Sequence, residues 1–425
     1  MLEIKFIRQN PEMLQRISDQ KGITLSIKEL LVWDEKKRLL LKETELLRET
    51  RNNLSQQFAN SSQHGKPNDL ESIKAAAKEV NQQLNEVETA LTEAVTQFHT
   101  LMILVPNVIS PDTPIGRSDE DNVEIKRVGE IPCFDFEPKD HVKLGEIHAI
   151  IDIPRGVKVA GKRNYFLKGN GLFLHRAVQQ LTLDLLADRG FTALDVPLMV
   201  RGAALSNTAF FPLGVDQTFK IAEEDKWLVG TSEVPMVSYY SDEIIDVTEP
   251  IKLAAISACF RSEIGAAGKD VHGLYRVHQF AKVEQVILCE NDPLVSERIL
   301  QEITQNAEEI MQLLELPYRI VAVCTGDMSQ KTYKQYDIET WMPSRQAYGE
   351  THSSSNLHDF QARRSNIRYR TADGTLQYCH TLNNTAVASP RILIPLLENH
   401  QEADGSIRIP KALQKYMNGL ERITI

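Results

Sequence analysis

Cysteine is scarce in this chain of 425 residues. There are five, Cys133, Cys259, Cys289, Cys324 and Cys379, and no two form a C-x-x-C pair. Such scatter speaks against a zinc ribbon or a disulfide framework, so no structural zinc is expected and a reducing compartment is. Long apolar runs are missing too. None approaches the ~20 residues that a helix needs to cross a bilayer, and Met1-Leu2-Glu3-Ile4-Lys5 does not read as a basic-then-apolar leader. A cytoplasmic protein with no membrane partner is expected. The chain has neither a G-x-x-x-x-G-K-[ST] loop nor a G-x-G-x-x-G turn, so any nucleotide must be held in another way. Basic excess is also absent. The net charge of −10 argues against general affinity for nucleic acid, although local basic faces decide a specific contact.

What is present is ordinary globular composition, 42% hydrophobic and 25% charged, over a length that allows more than one domain. The first hundred residues stand apart. They hold two glycines, Gly22 and Gly65, two prolines, Pro11 and Pro67, and many strong helix formers. Apolar residues step through Ile73, Ala77, Val80, Leu84, Val87, Leu91, Ala94, Phe98 and Leu101 at alternating intervals of four and three, a coiled-coil seam. Leu40, Leu47 and Leu54 recur upstream at seven. The turn-rich stretch Ala59 to Asp69 lies between them. Two antiparallel helices with a polar tip are expected, the second ~45 Å long at ~1.5 Å per residue. Such a hairpin is either an arm toward a distant partner or a dimerisation coiled coil or spacer. Its basic residues, Lys36, Lys37, Arg38, Lys42, Arg48 and Arg51, are interleaved with acids, as on a solvated helix face. A Pro- and Asp-rich linker, Ser110-Pro111-Asp112-Thr113-Pro114 onward, follows. The domains are therefore read as 1–105, the helical arm, and 106–425. The second part mixes helices and strands irregularly, as an α+β fold with a largely antiparallel sheet.

Within that second part, Phe260-Arg261-Ser262-Glu263 is followed by a loop bearing Gly265, Gly268 and Gly273, then Arg276-Val277-His278-Gln279-Phe280-Ala281-Lys282-Val283-Glu284. Arg261 and Arg276 can clamp a phosphate chain. Phe280 offers a flat face for an adenine, and Glu284 a carboxylate for an ammonium. Alternation from Tyr275 to Val283 predicts a strand, with Arg276, His278, Phe280, Lys282 and Glu284 on one face. The alternative is a buried hairpin with ion pairs, a costly use of charge. In Gly230-Thr231-Ser232-Glu233-Val234-Pro235, a hydroxyl and a carboxylate suit an α-ammonium, or Thr231 caps a helix. In Glu350-Thr351-His352-Ser353, a carboxylate and a hydroxyl can ligate a hard cation alongside phosphate oxygens, or the stretch is a Ser-rich turn.

The F-R-x-E segment with its R-x-x-x-F-x-x-x-E continuation resembles motif 2 of the class II aminoacyl-tRNA synthetases. The run Gly171 to Pro197 resembles motif 1, the dimer interface, or is simple packing. His380-Thr381-Leu382-Asn383-Asn384-Thr385-Ala386-Val387-Ala388-Ser389-Pro390-Arg391 resembles motif 3. With Asp359 to Arg364 and the arm included, the whole chain is similar to the seryl-tRNA synthetase family. The resemblance implies ATP-dependent activation of L-serine and transfer to tRNA(Ser), with tRNA(Sec) as a further candidate, by a homodimer using ATP and Mg²⁺. It implies catalytic roles for Arg261, Arg391 and Glu263. Serine would be held by Thr231, Ser232, Glu233, Arg261, Glu284 and Thr385. ATP would be held by Arg261, Ser262, Glu263, Arg276, Val277, Phe280, Glu350, Thr351, His352, Ser353 and Arg391, and Mg²⁺ by Glu350 and Ser353. It also makes 1–105 a tRNA-binding arm and 106–425 the catalytic domain.

Some wording departs from the family's usual bacterial pattern: Gly349 and His352, Asn384 and Ala386 around Thr385, His272 in the motif 2 loop, and the segment Ser206 to Pro212. These departures favour a second isoform for inhibitor resistance or a biosynthetic pathway as an alternative to the housekeeping enzyme. A carrier-protein ligase or a non-catalytic RNA-binding or regulatory homologue are further alternatives.

Overall fold

The computed structural model describes residues 1–64, 67–264 and 271–425. Gly65 at the hairpin tip and Gly265 and Gly268 in the motif 2 loop lie outside the described residues. Two compact units divide the chain, one spanning Leu2–Pro106 and the other Asn107–Ile425 together with Met1.

The first unit opens with two short helices, α1 (Ile4–Gln9) and α2 (Pro11–Gln20), which bury Ile7 and Leu14. The hairpin follows, α3 (Ile27–His64) packed against α4 (Pro67–Met102). The expected seam is there. Leu84, Ala94 and Phe98 are buried, and Leu40, Leu47 and Leu54 are partly buried on the facing helix. The turn-rich stretch is more helical than expected. Residues 59–64 are helical, because extending an established helix costs far less than starting one, even through Ser and Asn. Pro67 occupies the first turn of α4, where its missing N–H costs nothing. The 36 residues of α4 make it about 54 Å long rather than ~45 Å. Much of the arm's positive charge is committed inside the hairpin. Arg48 lies 2.8 Å from Glu88, Arg38 lies 3.3 Å from buried Asp34, and the Lys37 ammonium sits 3.3 Å from the Phe98 ring centroid.

In the second unit, the expected linker is bound rather than free. The Asn107 side chain donates to the carbonyls of Lys331 at 3.0 Å and Leu357 at 2.8 Å, and Ser110 N donates to Tyr333 O at 2.9 Å. The chain then builds an eight-stranded sheet. Its strands are β1 (Val123–Val128), β2 (Thr192–Leu194), β3 (Ile251–Phe260), β4 (Gln279–Cys289), β5 (Tyr318–Ala322), β6 (Lys334–Met342), β7 (Ala347–Asn356) and β8 (His380–Ser389). Their order is β1-β5-β6-β7-β8-β4-β3-β2. Every neighbouring pair is antiparallel except β2 with β3. No βαβ series appears among the described residues.

Two long helices cover one face. Helix α5 (Asn170–Asp188) lies on β8, β3 and β4. Between it and the second long helix in sequence comes a short one, α6 (Glu233–Ser238). Helix α7 (Pro293–Leu313), started by the Asp292 side chain accepting from Leu294 N at 2.7 Å, lies on β8, β7 and β4. The main core, including Val178, Val283, Ile287, Ile303, Met311 and Leu382, fills this layer. Gln285 faces the same way, donating to Ile303 O at 3.2 Å and accepting from Asn306 at 2.7 Å. Successive strand residues point to opposite faces. Lys282 and Glu284 therefore point away from the helices, to the face that α6 and α8 (Phe360–Ser365) cover beyond Glu284 through Met236, Val286, Leu288 and Ala362.

Candidate active site

On that second face, a partly open cavity of about 60 Å³ lies above β4 and β8. Its wall includes Arg261, Glu263, Val277, Phe280, Glu350, Thr351, Thr385 and Arg391, all expected from the sequence, together with Leu274, Tyr275 and Lys282.

The strand expected from Tyr275 begins only at Gln279. A strand exists where a neighbour pairs with it, and β3 ends at Phe260, opposite Gln279. Tyr275 to His278 therefore run as an irregular segment, tied by Leu274 N to His141 Nε2 at 3.2 Å and by His278 N to Arg163 O at 3.1 Å. Phe280, Lys282 and Glu284 do share a face. Arg276 and His278 precede the strand. Arg276 lies 3.5 Å from Glu263, and His278 Nδ1 lies 3.0 Å from Arg261 O. Glu263 takes a left-handed backbone, φ 51°, unusual for a residue with a Cβ and of the kind held in place at working sites.

Two bulges sit at the cavity. Between β6 and β7, Ile338 pairs with His352 and Glu339 with Glu350, leaving Thr351 over. Between β8 and β4, Thr385 pairs with Glu284 and Val387 with Val283, leaving Ala386 over. Each extra residue re-aims the side chains beside it. Thr385 comes directly opposite Glu284. Thr351 bonds Thr340 Oγ1 at 2.7 Å, and His352 Nδ1 lies 2.8 Å from Thr351 Oγ1. His352 is buried outside the cavity wall, and desolvation lowers its pKa to about 3, so the imidazole is neutral.

The arginines are placed for anions and rings. The Arg261 guanidinium lies 5.3 Å from the Phe280 centroid, and its Nε donates to Gly230 O at 3.3 Å. Arg391 lies 4.4 Å over Tyr275 and 3.5 Å from the Glu350 carboxylate, while Arg345 lies 3.9 Å over the same Tyr275 ring. Gly349 backs this wall: a Cβ there would come within 3.0 Å of Met342 Cε and 3.4 Å of the Tyr275 ring.

Deeper in lies Thr231. Its hydroxyl accepts from Glu233 N at 3.2 Å, like a cap, and accepts from Lys282 Nζ at 2.8 Å. Glu233 Oε1 receives Lys331 at 2.5 Å, Gln361 at 2.7 Å and Asn383 at 2.9 Å. Glu284 is buried, and burial raises its pKa against the pull of Lys282, 2.5 Å away. Ser232 is fully buried, and Ser262 Oγ donates to Asp216 O at 2.5 Å. Ser353 accepts from Gln335 at 3.1 Å. Its β6 partner Asp337 is buried and held well above the usual carboxylate range, by burial first and then by the Glu350 charge. His272, exposed, lies 3.1 Å from Asp140.

Sequence reasoning left Lys282, Lys331, Gln361, Asn383 and Tyr275 without roles. Lys282 was findable, since it alternates with Phe280 and Glu284. Lys331 and Gln361 reach Glu233 from 98 and 128 residues away, where no local pattern points to them.

Comparisons with known proteins find relatives for both parts of the chain. A family model described as tRNA synthetase class II core domain (G, H, P, S and T) matches residues 218–400, and one described as Seryl-tRNA synthetase N-terminal domain matches residues 1–109. A serine–tRNA ligase of Deinococcus radiodurans is 43% identical, with 99% of this chain and 98% of that protein covered. One of Borreliella burgdorferi is 41% identical over 98% of each. The crystal structure of seryl-tRNA synthetase from Pyrococcus horikoshii complexed with ATP superposes with a TM-score of 0.90 at 36% identity, covering 100% of this chain and 99% of that one.

Proposed function

The chain belongs to the seryl-tRNA synthetase family, and from that premise we propose that it activates L-serine with ATP and transfers the seryl group to tRNA(Ser). The observation that carries the reading is a cavity whose wall holds Arg261, Arg391 and a stackable Phe280 beside Thr385 and Lys282, with Thr231 and Glu284 directly behind that lysine. A serine carboxylate oxygen attacks the α-phosphorus of ATP, and pyrophosphate leaves. The terminal hydroxyl of the tRNA then attacks the acyl carbon, and AMP leaves. Both nucleophiles belong to substrates, so the protein supplies orientation and charge stabilisation.

In this reading Arg261 steadies the α-phosphate, and Arg276 and Arg391 take the terminal phosphates. Phe280 stacks the adenine beside Val277. Glu263, Ser262, Thr351 and His352 shape and support the nucleotide site. Thr231, Ser232, Glu233, Glu284 and Thr385 form the serine site. A hydroxyl-matched site rejects alanine by leaving its polar groups unpaired. Glu350, with its side chain 45% exposed, and the Ser353 hydroxyl offer only oxygen donors, which suits Mg²⁺ bound mainly through phosphate oxygens. Bound there, the ion would neutralise charge on the leaving pyrophosphate.

The proposal extends to a tRNA-binding role for the arm, to tRNA(Sec) as a second acceptor, to a homodimer and to a cytoplasmic setting. Exposed Phe166, Leu172, Phe173 and Met199 on the catalytic unit support a dimer. Five free thiols, four of them buried, support a reducing compartment. No described helix is long and apolar enough to cross a membrane. The test is serine-dependent ATP–pyrophosphate exchange, followed by charging of total tRNA. Absence of both with folded protein would overturn the reading.

A further inference from the structure

Three groups assigned to serine recognition, Thr231, Glu284 and Thr385, already share one cation. Lys282 Nζ lies 2.8 Å from Thr231 Oγ1, 2.5 Å from Glu284 Oε2 and 3.5 Å from Thr385 Oγ1. Its side chain is only 6% exposed, yet it forms part of the cavity wall. We propose that the Lys282 ammonium is a stand-in for the ammonium of serine: it holds the substrate's position in the empty site, and on serine binding it moves to the substrate's carboxyl oxygen. The inference rests on the serine-activating reading above and adds to it a residue and a displacement.

Three observations carry it. First, the other candidate anion is already engaged. Glu233 Oε1 takes donors from Lys331, Gln361 and Asn383, and Lys331 itself is largely buried. That carboxylate carries three donors on one oxygen, whereas Glu284 faces Lys282, so an incoming ammonium gains more at Glu284. Second, the Lys282–Glu284 contact is close but badly aimed. Glu284 Oε2 is buried and has no properly directed hydrogen bond, although Nζ is 2.5 Å away. Two residues apart on one strand face, the side chains leave the strand side by side, so the lysine attracts the carboxylate without pointing an N–H along its lone pair. An ammonium entering from the cavity is under no such constraint. Third, the charges balance before and after. The empty site pairs one buried cation with one buried anion, and both would be costly unpaired. Serine brings one charge of each sign. With its ammonium on Glu284, the freed lysine needs an anion, and the carboxyl of the same substrate supplies it. The flexible four-carbon stem of lysine permits the move, where a rigid arginine fork would resist it.

The direct test is a crystal structure of the full chain with L-serine. The expected result is the α-ammonium of serine on Glu284, with Lys282 Nζ withdrawn from Glu284 and within hydrogen-bond distance of a serine carboxylate oxygen. Lys282 still on Glu284, with the α-ammonium elsewhere, overturns the proposal. Kinetics give an independent arm. In Lys282→Met, the KM for serine in pyrophosphate exchange should rise about 10- to 100-fold, the scale of one charge-assisted hydrogen bond, with the KM for ATP within about twofold. If the variant folds poorly, Lys282→Gln, which keeps a polar head on a shorter stem and leaves Glu284 intact, should show the same split. Serine and ATP constants that move together, or neither moving, would make Lys282 structural and sink the idea. Failure of the wild type to exchange at all would overturn the serine-activating reading instead.

Discussion

In Arg261→Ala, the guanidinium stacked on Phe280 at 5.3 Å is lost, together with its 3.3 Å hydrogen bond to Gly230 O. In the free protein these contacts are modest. A partly exposed cation–π contact is worth ~0.5–1 kcal/mol and a long neutral-acceptor hydrogen bond about as much, so folding should lose ~1–2 kcal/mol. A domain with ~5–15 kcal/mol of stability stays folded after that loss. The effect on the reaction is different in kind. If Arg261 meets charge that builds on the α-phosphate, its removal costs ~3 kcal/mol of barrier, about 100-fold in rate. Serine-dependent pyrophosphate exchange at saturating substrates should therefore fall about 100-fold or more, while the melting temperature drops by only a few degrees. Arg261→Lys should recover only part of the rate, because a point charge cannot form the planar two-point contact. Exchange within a few-fold of wild type in a folded Arg261→Ala protein would refute the assignment of this arginine to the reacting phosphate.

Thr385→Val keeps volume and removes the hydroxyl opposite Glu284, so the KM for serine should rise about 10-fold or more with little change for ATP; equal shifts for both would make Thr385 structural. Deleting Lys28 to Thr100 and closing the gap with a short linker should leave adenylate formation largely intact, since the cavity lies wholly in Asn107–Ile425, and should abolish transfer to tRNA. Full-length charging should weaken steeply with salt, as counterion release requires, and normal charging by the deletion would remove the arm from the account. Acid should unfold the protein through its buried histidines. His352 and His380 have pKa values lowered to about 3 and His400 to about 4, each mainly by burial, so they favour the folded state fully above about 6.5 and progressively less as pH falls toward those values. Raised carboxyls act oppositely: Glu284 and Asp337 stabilise most at low pH and lose that contribution as pH rises. Melting temperatures from pH 7 to pH 4 should fall, and His380→Gln should flatten the slope; an unchanged slope would show that this histidine is not titrating.

The arm was legible because its information is local and periodic. A spacing of four and three selects the residues that meet across a helix pair, and Leu84, Ala94 and Phe98 are buried as that spacing requires. The tip was legible only roughly, because Ser and Asn discourage helix without stopping one already under way. On β4 the period of two put Phe280, Lys282 and Glu284 on one face, and the pleat imposes that face wherever the strand runs. Where the strand starts was another matter. Tyr275 to His278 alternate as well as the residues after them, yet beyond Phe260 the ladder runs out after one bond, Arg261 N to His278 O at 3.0 Å, and sustained pairing rather than alternation makes a strand.

Tertiary structure alone decided the rest. The bulges at Thr351 and Ala386 depend on how two distant strands come into register, which neither strand encodes by itself. The partners of Glu233 come from three separate segments, at Lys331, Gln361 and Asn383, each unremarkable in its own surroundings. The sequence by itself determined the motif side chains, Arg261, Phe280, Thr385 and Arg391 among them, that line one cavity. Which lysine meets which carboxylate, Lys331 with Glu233 and Lys282 with Glu284, was decided only by the folded sheet, because burial makes such pairing obligatory and only the fold chooses the pairs.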